Sequence, residues 1–248
     1  MRNLLKILPN LITSMNLISG SIAVLFAVDG HLIWAGLFIC LSAIFDFLDG
    51  LAARFLKSFS NLGRQLDSLA DLVSFGLAPA TILFTLLEFS MFKENQPVYD
   101  ISATWYQWLI LFSVMLMPVL GAVRLARFNT QDSNKSFFRG LPIPANGLFW
   151  ASMGLMLEFP EHREIFNILY STRNLLILGL FTSGMMVISL PMFSLKFNNL
   201  NLKENWHRYL FLLITLLFII FLNVYGLALA VLFYILLNIV FYLTGIKH

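Results

Sequence analysis

Apolar residues in this chain run in long blocks separated by short polar stretches, with little amphipathic alternation. A block of about 20 apolar residues is what a helix needs to cross the hydrocarbon core of a bilayer. The blocks predict eight helices, over residues 10–28, 31–57, 63–89, 105–128, 142–159, 174–194, 208–223 and 226–245. Asp29-Gly30 marks the first turn, and Asn223 to Gly226 marks the last. Pro97, Pro160 and Pro191 fall at or near other boundaries, where a residue without an N–H is best tolerated. The expected fold class is therefore all-α, a polytopic membrane helix bundle. With no long linker, low-complexity tract or internal repeat, residues 1–248 read as a single domain.

Composition sharpens this reading. The chain is 59% hydrophobic and only 12% charged, far too apolar for an ordinary soluble domain. The single cysteine, Cys40, excludes an internal disulfide. Arg2 and Lys6 precede the first apolar block, as in a signal peptide, but no small-residue cleavage site follows. The block is read as an uncleaved first span.

Charge sets the expected orientation. With a cytoplasmic N-terminus and eight spans, Arg2, Lys6, Arg54, Lys57, Arg64, Arg124, Arg127, Lys135, Arg139, Lys196, Lys203, Arg208 and Lys247 fall inside. Only Lys93, Arg163 and Arg173 fall outside, together with Asp29, Glu88, Glu94, Asp100, Glu158, Glu161 and Glu164. This is the positive-inside pattern, and it expects both termini in the cytoplasm. The net charge of +3 is then a topology signal and gives no reason to invoke nucleic acid.

Four carboxylates break the apolar pattern: Asp46, Asp49, Asp67 and Asp71. A charge at the centre of a membrane helix costs about 2.5–3.5 kcal/mol on insertion scales, so a cluster needs compensation. Asp46 and Asp49 are three apart near the end of the second helix, and Asp67 and Asp71 four apart near the start of the third. Each pair shares a helix face. A short turn near Ser58 to Leu62 joins the two helices, so the pairs can converge at one depth on the cytoplasmic side. Hard oxygen ligands suit Mg²⁺ or Mn²⁺. Four carboxylates can hold two such ions, the clamp used for phosphoryl displacement.

The residues between the acids fit that chemistry. Gly50 follows Asp49, and Gly63 precedes Asp67 by one turn. Glycine inside a helix costs about 1 kcal/mol against alanine, and here it would let a phosphate approach the backbone. Arg54, four residues from Gly50, could bind a phosphate oxygen. A purely structural reading pairs the acids with Arg54 and Arg64. A cation transporter is the reading from another class, but the acids crowd one end and trace no path across the membrane. His31, His162, His207 and His248 match no metal spacing.

The stretch from Asp46 to Asp71 reads D-x-x-D-G-x-x-A-R-x8-G-x3-D-x3-D. It resembles, without departure, the signature of the CDP-alcohol phosphatidyltransferase family, integral membrane enzymes with a six-helix core. The resemblance implies transfer of a phosphatidyl group from a CDP-linked lipid to an alcohol, with release of CMP. It implies a core over about residues 1–195, two additional C-terminal helices over about 208–245, and a homodimer. Asp46, Asp49, Asp67 and Asp71 would be metal ligands, and Asp71 also the general base. Gly50, Ala53, Arg54 and Gly63 would surround the cytidine diphosphate. PNLIT, with Pro9, Asn10 and Thr13, is similar to the family's opening of the first helix, which puts Asn10 and Thr13 near the nucleotide. A plain helix start explains Pro9 and Asn10 equally well.

Three further stretches are similar to the family's integral-membrane members that take CDP-diacylglycerol and L-serine: Ser68 to Ala80, Arg124 to Asn129 and Phe138 to Asn146. Serine needs its carboxylate held, and a guanidinium fork suits a carboxylate. Arg127 is the first candidate, then Arg124 and Arg139, with Asn129 as a weaker polar one. Basic residues at an inner helix end are also expected from topology alone. These cations do not distinguish serine from glycerol phosphate or inositol phosphate, and choline is a further sister acceptor.

Overall fold

The computed structural model describes residues 2–130, 138–158, 163–193 and 201–245. Nine helices lie in these stretches: α1 (Arg2–Val28), α2 (Leu32–Phe55), α3 (Asn61–Phe92), α4 (Trp105–Thr130), α5 (Ile143–Leu155), α6 (Arg163–Leu169), α7 (Thr172–Val187), α8 (Leu202–Leu222) and α9 (Val224–Thr244). Their apolar composition and length follow from the blocks in the sequence. Among the described residues, α1, α2, α3, α4, α8 and α9 contain stretches long and apolar enough to cross a membrane. Large apolar residues such as Leu25, Phe47, Leu109 and Phe221 stay exposed on these helices, as a lipid-facing surface requires.

All eight expected helical segments are present, but two are shorter than the apolar runs suggested. Helix α5 has 13 residues, about 20 Å at the α-helical rise, against about 30 Å of hydrocarbon. It lies inside the bundle, with Ile143, Phe149, Trp150 and Met153 fully buried, so its apolar character reflects protein packing as much as membrane depth. Helix α7 stops at Val187 because Ile188 turns extended (φ −64°, ψ 145°). The chain then forms β2 (Pro191–Met192), which pairs antiparallel with β1 (Phe138–Arg139). The residues expected to finish a span at 194 instead make this two-stranded ribbon. Helix α6 falls in a stretch expected to be loop. Lys135, His162, Lys196, Lys247, His248 and the ends of the 142–159 and 174–194 spans lie outside the described residues, as does the side chain of Arg139.

Helix α3 is regular except for a single π-helical turn, Val73–Leu77. Such turns leave backbone groups in need of other partners and are frequent at functional sites. Here Asn146 Nδ2 on α5 donates to the Phe75 carbonyl at 3.2 Å. The turn begins two residues after Asp71. It locks the inner half of α3 to both α5 and, through Ser74, to α1.

Candidate active site

The end of α2 and the start of α3 form a tight hairpin. Lys57 takes a left-handed conformation (φ 48°) in the turn. Ser60 then caps α3, its Oγ accepting from Gly63 N at 2.9 Å, a cap that satisfies one of the otherwise unpaired first N–H groups. This folding brings the two acid pairs together. One carboxylate oxygen from each of Asp46, Asp49 and Asp67 lies within 4.8 Å of the others. Asp71 stands outside that triad, four residues further along α3, buried to 8% exposure. Its charge still lies within electrostatic range of Asp46, Asp67 and Asp49.

The donor set fits a divalent ion. Three hard carboxylate oxygens drawn this close are a donor set that suits Mg²⁺ or Mn²⁺, and Asp46, Asp49 and Asp67 would be the residues to hold such an ion. The structure brings Asp46, Asp49 and Asp67 together and places Asp71 one turn further along α3.

Helix α1 supplies the second layer. Thr13 Oγ1 donates to Asp49 Oδ2 at 2.6 Å, with the Pro9 carbonyl at 3.0 Å as its other neighbour. One turn deeper, Asn16 Nδ2 donates to Asp71 Oδ1 at 3.3 Å. The Asn16 carbonyl accepts from Ser42 Oγ of α2 at 3.2 Å and from Ser74 Oγ of α3 at 3.0 Å. Asn16 thereby fixes the register of the two acid-bearing helices against α1. Gly20 makes the approach possible, since a Cβ there would fall 2.1 Å from Ser74 Oγ. Asn16 had not been expected from the sequence. Its signal was present as a polar stripe, Thr13, Asn16 and Ser19, at helical spacing inside an apolar block.

The two signature glycines differ. A Cβ on Gly63 would come within 2.9 Å of Asn10 Oδ1 and 3.0 Å of Ser60 Oγ, so a side chain there must turn both groups aside. A Cβ on Gly50 would meet only Arg54 Nη2, at 3.8 Å. No protein group demands glycine at 50, and the space beside Asp49 is left open. Arg54 is exposed and its Nε donates to the Gly50 carbonyl at 3.0 Å, which keeps the guanidinium over that space. Ala53 is half-buried on the same helix end.

The acceptor candidates separate. Arg127 is exposed and its Nη1 donates to the Val187 carbonyl at 3.3 Å. Arg124 is half-buried, its Nε is enclosed without a hydrogen-bond partner among the described residues, and its charge is within range of Asp71. Asn129 Nδ2 donates to Ser68 Oγ at 2.9 Å, which ties the end of α4 to the residue beside Asp67. The backbone of Arg139 lies in the ribbon opposite Pro191.

Comparison with known proteins identifies the family. A family model described as CDP-alcohol phosphatidyltransferase matches residues 6–244. A Mycobacterium leprae protein named CDP-diacylglycerol--serine O-phosphatidyltransferase is 36% identical over 151 residues, covering 58% of this chain and 45% of that one. A Bacillus subtilis protein of the same name is 32% identical over 141 residues, covering 57% of this chain and 71% of the relative. An archaetidylserine synthase of Methanothermobacter thermautotrophicus is 32% identical over 156 residues, covering 62% of this chain and 60% of the relative. The matches thus span 45%, 71% and 60% of these relatives' lengths. Family, helix count and apolar composition together make this an integral membrane protein. The chain belongs to the CDP-alcohol phosphatidyltransferase family.

Proposed function

We propose that this protein transfers a phosphatidyl group from CDP-diacylglycerol to L-serine, giving phosphatidylserine and CMP. The observation that carries the reading is the converged Asp46, Asp49 and Asp67 triad with Asp71 held one turn deeper by Asn16. The shared serine in the names of the three relatives supports the acceptor.

In this reading Asp46, Asp49, Asp67 and Asp71 hold two divalent ions, Mg²⁺ or Mn²⁺, which when bound would neutralise the pyrophosphate and the leaving CMP. Asn10, Thr13, Gly50, Ala53, Arg54 and Gly63 surround the cytidine diphosphate, with Gly50 leaving room for a phosphate and Arg54 binding one of its oxygens. Asp71 takes the proton of the serine hydroxyl. The freed oxygen forms a bond to the phosphorus next to diacylglycerol while the bond from that phosphorus to CMP breaks. Positioning and charge compensation supply most of the rate, as in other phosphoryl transfers.

Arg124 is the foremost serine-carboxylate ligand in this reading, because its guanidinium is half-buried and near Asp71. Arg127, Arg139 and Asn129 are the further candidates. The protein acts as one domain and as a homodimer. Its termini and aspartates face the cytoplasm of a bacterial inner membrane, supported by the distribution of basic residues.

The test is CMP release by the purified protein in detergent, with CDP-diacylglycerol, Mg²⁺ or Mn²⁺, and serine, glycerol phosphate, inositol phosphate or choline. Turnover that requires serine and a divalent ion is expected. Turnover only with another alcohol would end the serine assignment. Turnover with a CDP-activated archaeal ether lipid in place of CDP-diacylglycerol would reassign the donor.

A further inference from the structure

The last helix reaches into the acceptor side through one residue. Phe193, directly after β2, has both backbone groups held by side chains of α9. Its N–H donates to Asn238 Oδ1 at 2.9 Å, and its carbonyl accepts from Tyr234 Oη at 2.7 Å. Asn238 Nδ2 in turn donates to the Tyr234 carbonyl at 2.7 Å, so the amide is fully oriented. All three residues are buried. The Phe193 ring lies 5.0 Å from that of Tyr234 and 5.1 Å from that of His207, centroid to centroid. Buried polar groups in a membrane helix are costly unless paired, and here the pairing is spent on a loop backbone.

That loop adjoins the segments that carry the acceptor candidates. Phe193 ends a stretch in which Val187 O accepts from Arg127 at 3.3 Å and Pro191 pairs with Arg139. Gly140 N donates to Leu190 O at 2.9 Å, and Leu141 N to Met185 O at 2.8 Å. Gly140 is left-handed (φ +76°), and a Cβ on it would fall 2.4 Å from Met186 O, so the ribbon is seated directly on the end of α7. Arg124, the third candidate, lies within electrostatic range of Tyr234 itself. Three arginines from two separate chain segments are thus referenced to one helix.

We propose that Tyr234 and Asn238 are positioning residues for the acceptor site, so that the C-terminal helix sets how tightly the acceptor alcohol is held. This rests on the reading of Arg124, Arg127 and Arg139 as the acceptor side. It assigns a role to a helix that lies outside the six-helix core and carries none of the signature residues.

The experiment uses the full-length protein and compares Tyr234→Phe, Asn238→Ala and a control, Ser152→Ala. Ser152 sits near the other end of α9, where its Oγ donates to the Val224 carbonyl at 2.5 Å and accepts from Ala228 N at 3.2 Å. The control therefore loosens the same helix about 9–15 Å from Tyr234, six to ten residues at the helical rise. Initial rates of CMP release are measured against acceptor and against CDP-lipid, with melting temperature beside them. The expected result is an acceptor KM raised about fivefold or more in Tyr234→Phe and Asn238→Ala, with the KM for CDP-lipid changed by less than about twofold. Ser152→Ala should lower the melting temperature and leave the acceptor KM alone. An unchanged acceptor KM in Tyr234→Phe, or a rise in all three variants that tracks lost stability, would overturn the proposal. Tyr234→Phe removes one oxygen, so it decides the matter if Asn238→Ala does not fold. The acceptor is whichever alcohol the wild type uses. A wild type that uses an alcohol other than serine ends the serine reading and leaves this test in force, and a folded, metal-loaded wild type that uses none ends both.

Discussion

Thr13 and Asp49 meet at 2.6 Å across the α1–α2 interface, 36 residues apart in the chain. The hydroxyl holds Oδ2 of a carboxylate whose neighbours Asp46 and Asp67 are within 4.8 Å. A partner of this kind orients a metal ligand, and its loss typically costs about 10–100-fold in metal affinity or activity. Thr13→Val keeps the side-chain shape and removes the donor. The expected outcome is a Mn²⁺ or Mg²⁺ requirement for CMP release raised by about 10-fold or more, with Thr13→Ser restoring most of it. A metal titration in which Thr13→Val matches wild type would show that Asp49 needs no such support.

Asp71 lies one turn beyond the triad and is held by Asn16, whereas Asp49 lies within the triad and is held by Thr13, and the difference predicts distinct failures. Asp71→Asn should lower turnover by about 10²–10⁴-fold, the usual worth of a general base, while CDP-lipid still binds. Asp49→Asn should instead show a rate that excess metal partly recovers. Measuring CMP release against metal concentration, with CDP-lipid binding in parallel, separates the two. Recovery of Asp71→Asn by metal alone would remove it from the base role.

Much of this was legible in the chain because the acids and the turn between them are local. Asp46 to Asp71 is one helical hairpin, and helical spacing alone puts each pair on one face. What lay outside the signature depended on contacts across the fold. Nothing local marks α5 as too short to span, since residues buried in protein and residues facing lipid look alike in hydropathy. The ribbon of Phe138–Arg139 with Pro191–Met192 joins segments more than fifty residues apart. Arg124 and Arg127 share a helix and a charge, and only tertiary packing shows that one turns inward and the other donates to Val187.

Asn16 is the residue whose role is least visible without the structure, and its substitution should be informative. Its side chain reaches Asp71, while its carbonyl takes the hydroxyls of Ser42 and Ser74. Replacing the side chain leaves those two hydroxyl contacts in place. Asn16→Leu should therefore lower kcat by about 10-fold or more, the loss of a hydrogen bond to a charged group being about 1.5–3 kcal/mol, with the KM for CDP-lipid nearly unchanged. Asn16→Asp should be worse, because it adds a fifth carboxylate beside four. Equal activity of Asn16→Leu and wild type would reduce Asn16 to a packing residue.

The two signature glycines allow stability and function to be pulled apart. Gly63→Ala would press its methyl to within 2.9 Å of Asn10 Oδ1. Asn10 and the Ser60 cap must then turn aside, and a lost cap costs about 0.5–2 kcal/mol, so both melting temperature and activity should fall. Gly50→Ala meets nothing closer than Arg54 Nη2 at 3.8 Å. Alanine is the better helix former by up to about 1 kcal/mol, so the protein should keep or raise its melting temperature. The new methyl stands beside Asp49, in space that no protein atom occupies. If that space is where the pyrophosphate comes down, the KM for CDP-lipid must rise in Gly50→Ala even as the fold becomes more stable. Thermal melts and CDP-lipid saturation curves on the two variants read this directly. A Gly50→Ala enzyme with wild-type KM would mean that the phosphates sit elsewhere, and that Arg54 binds something other than the nucleotide.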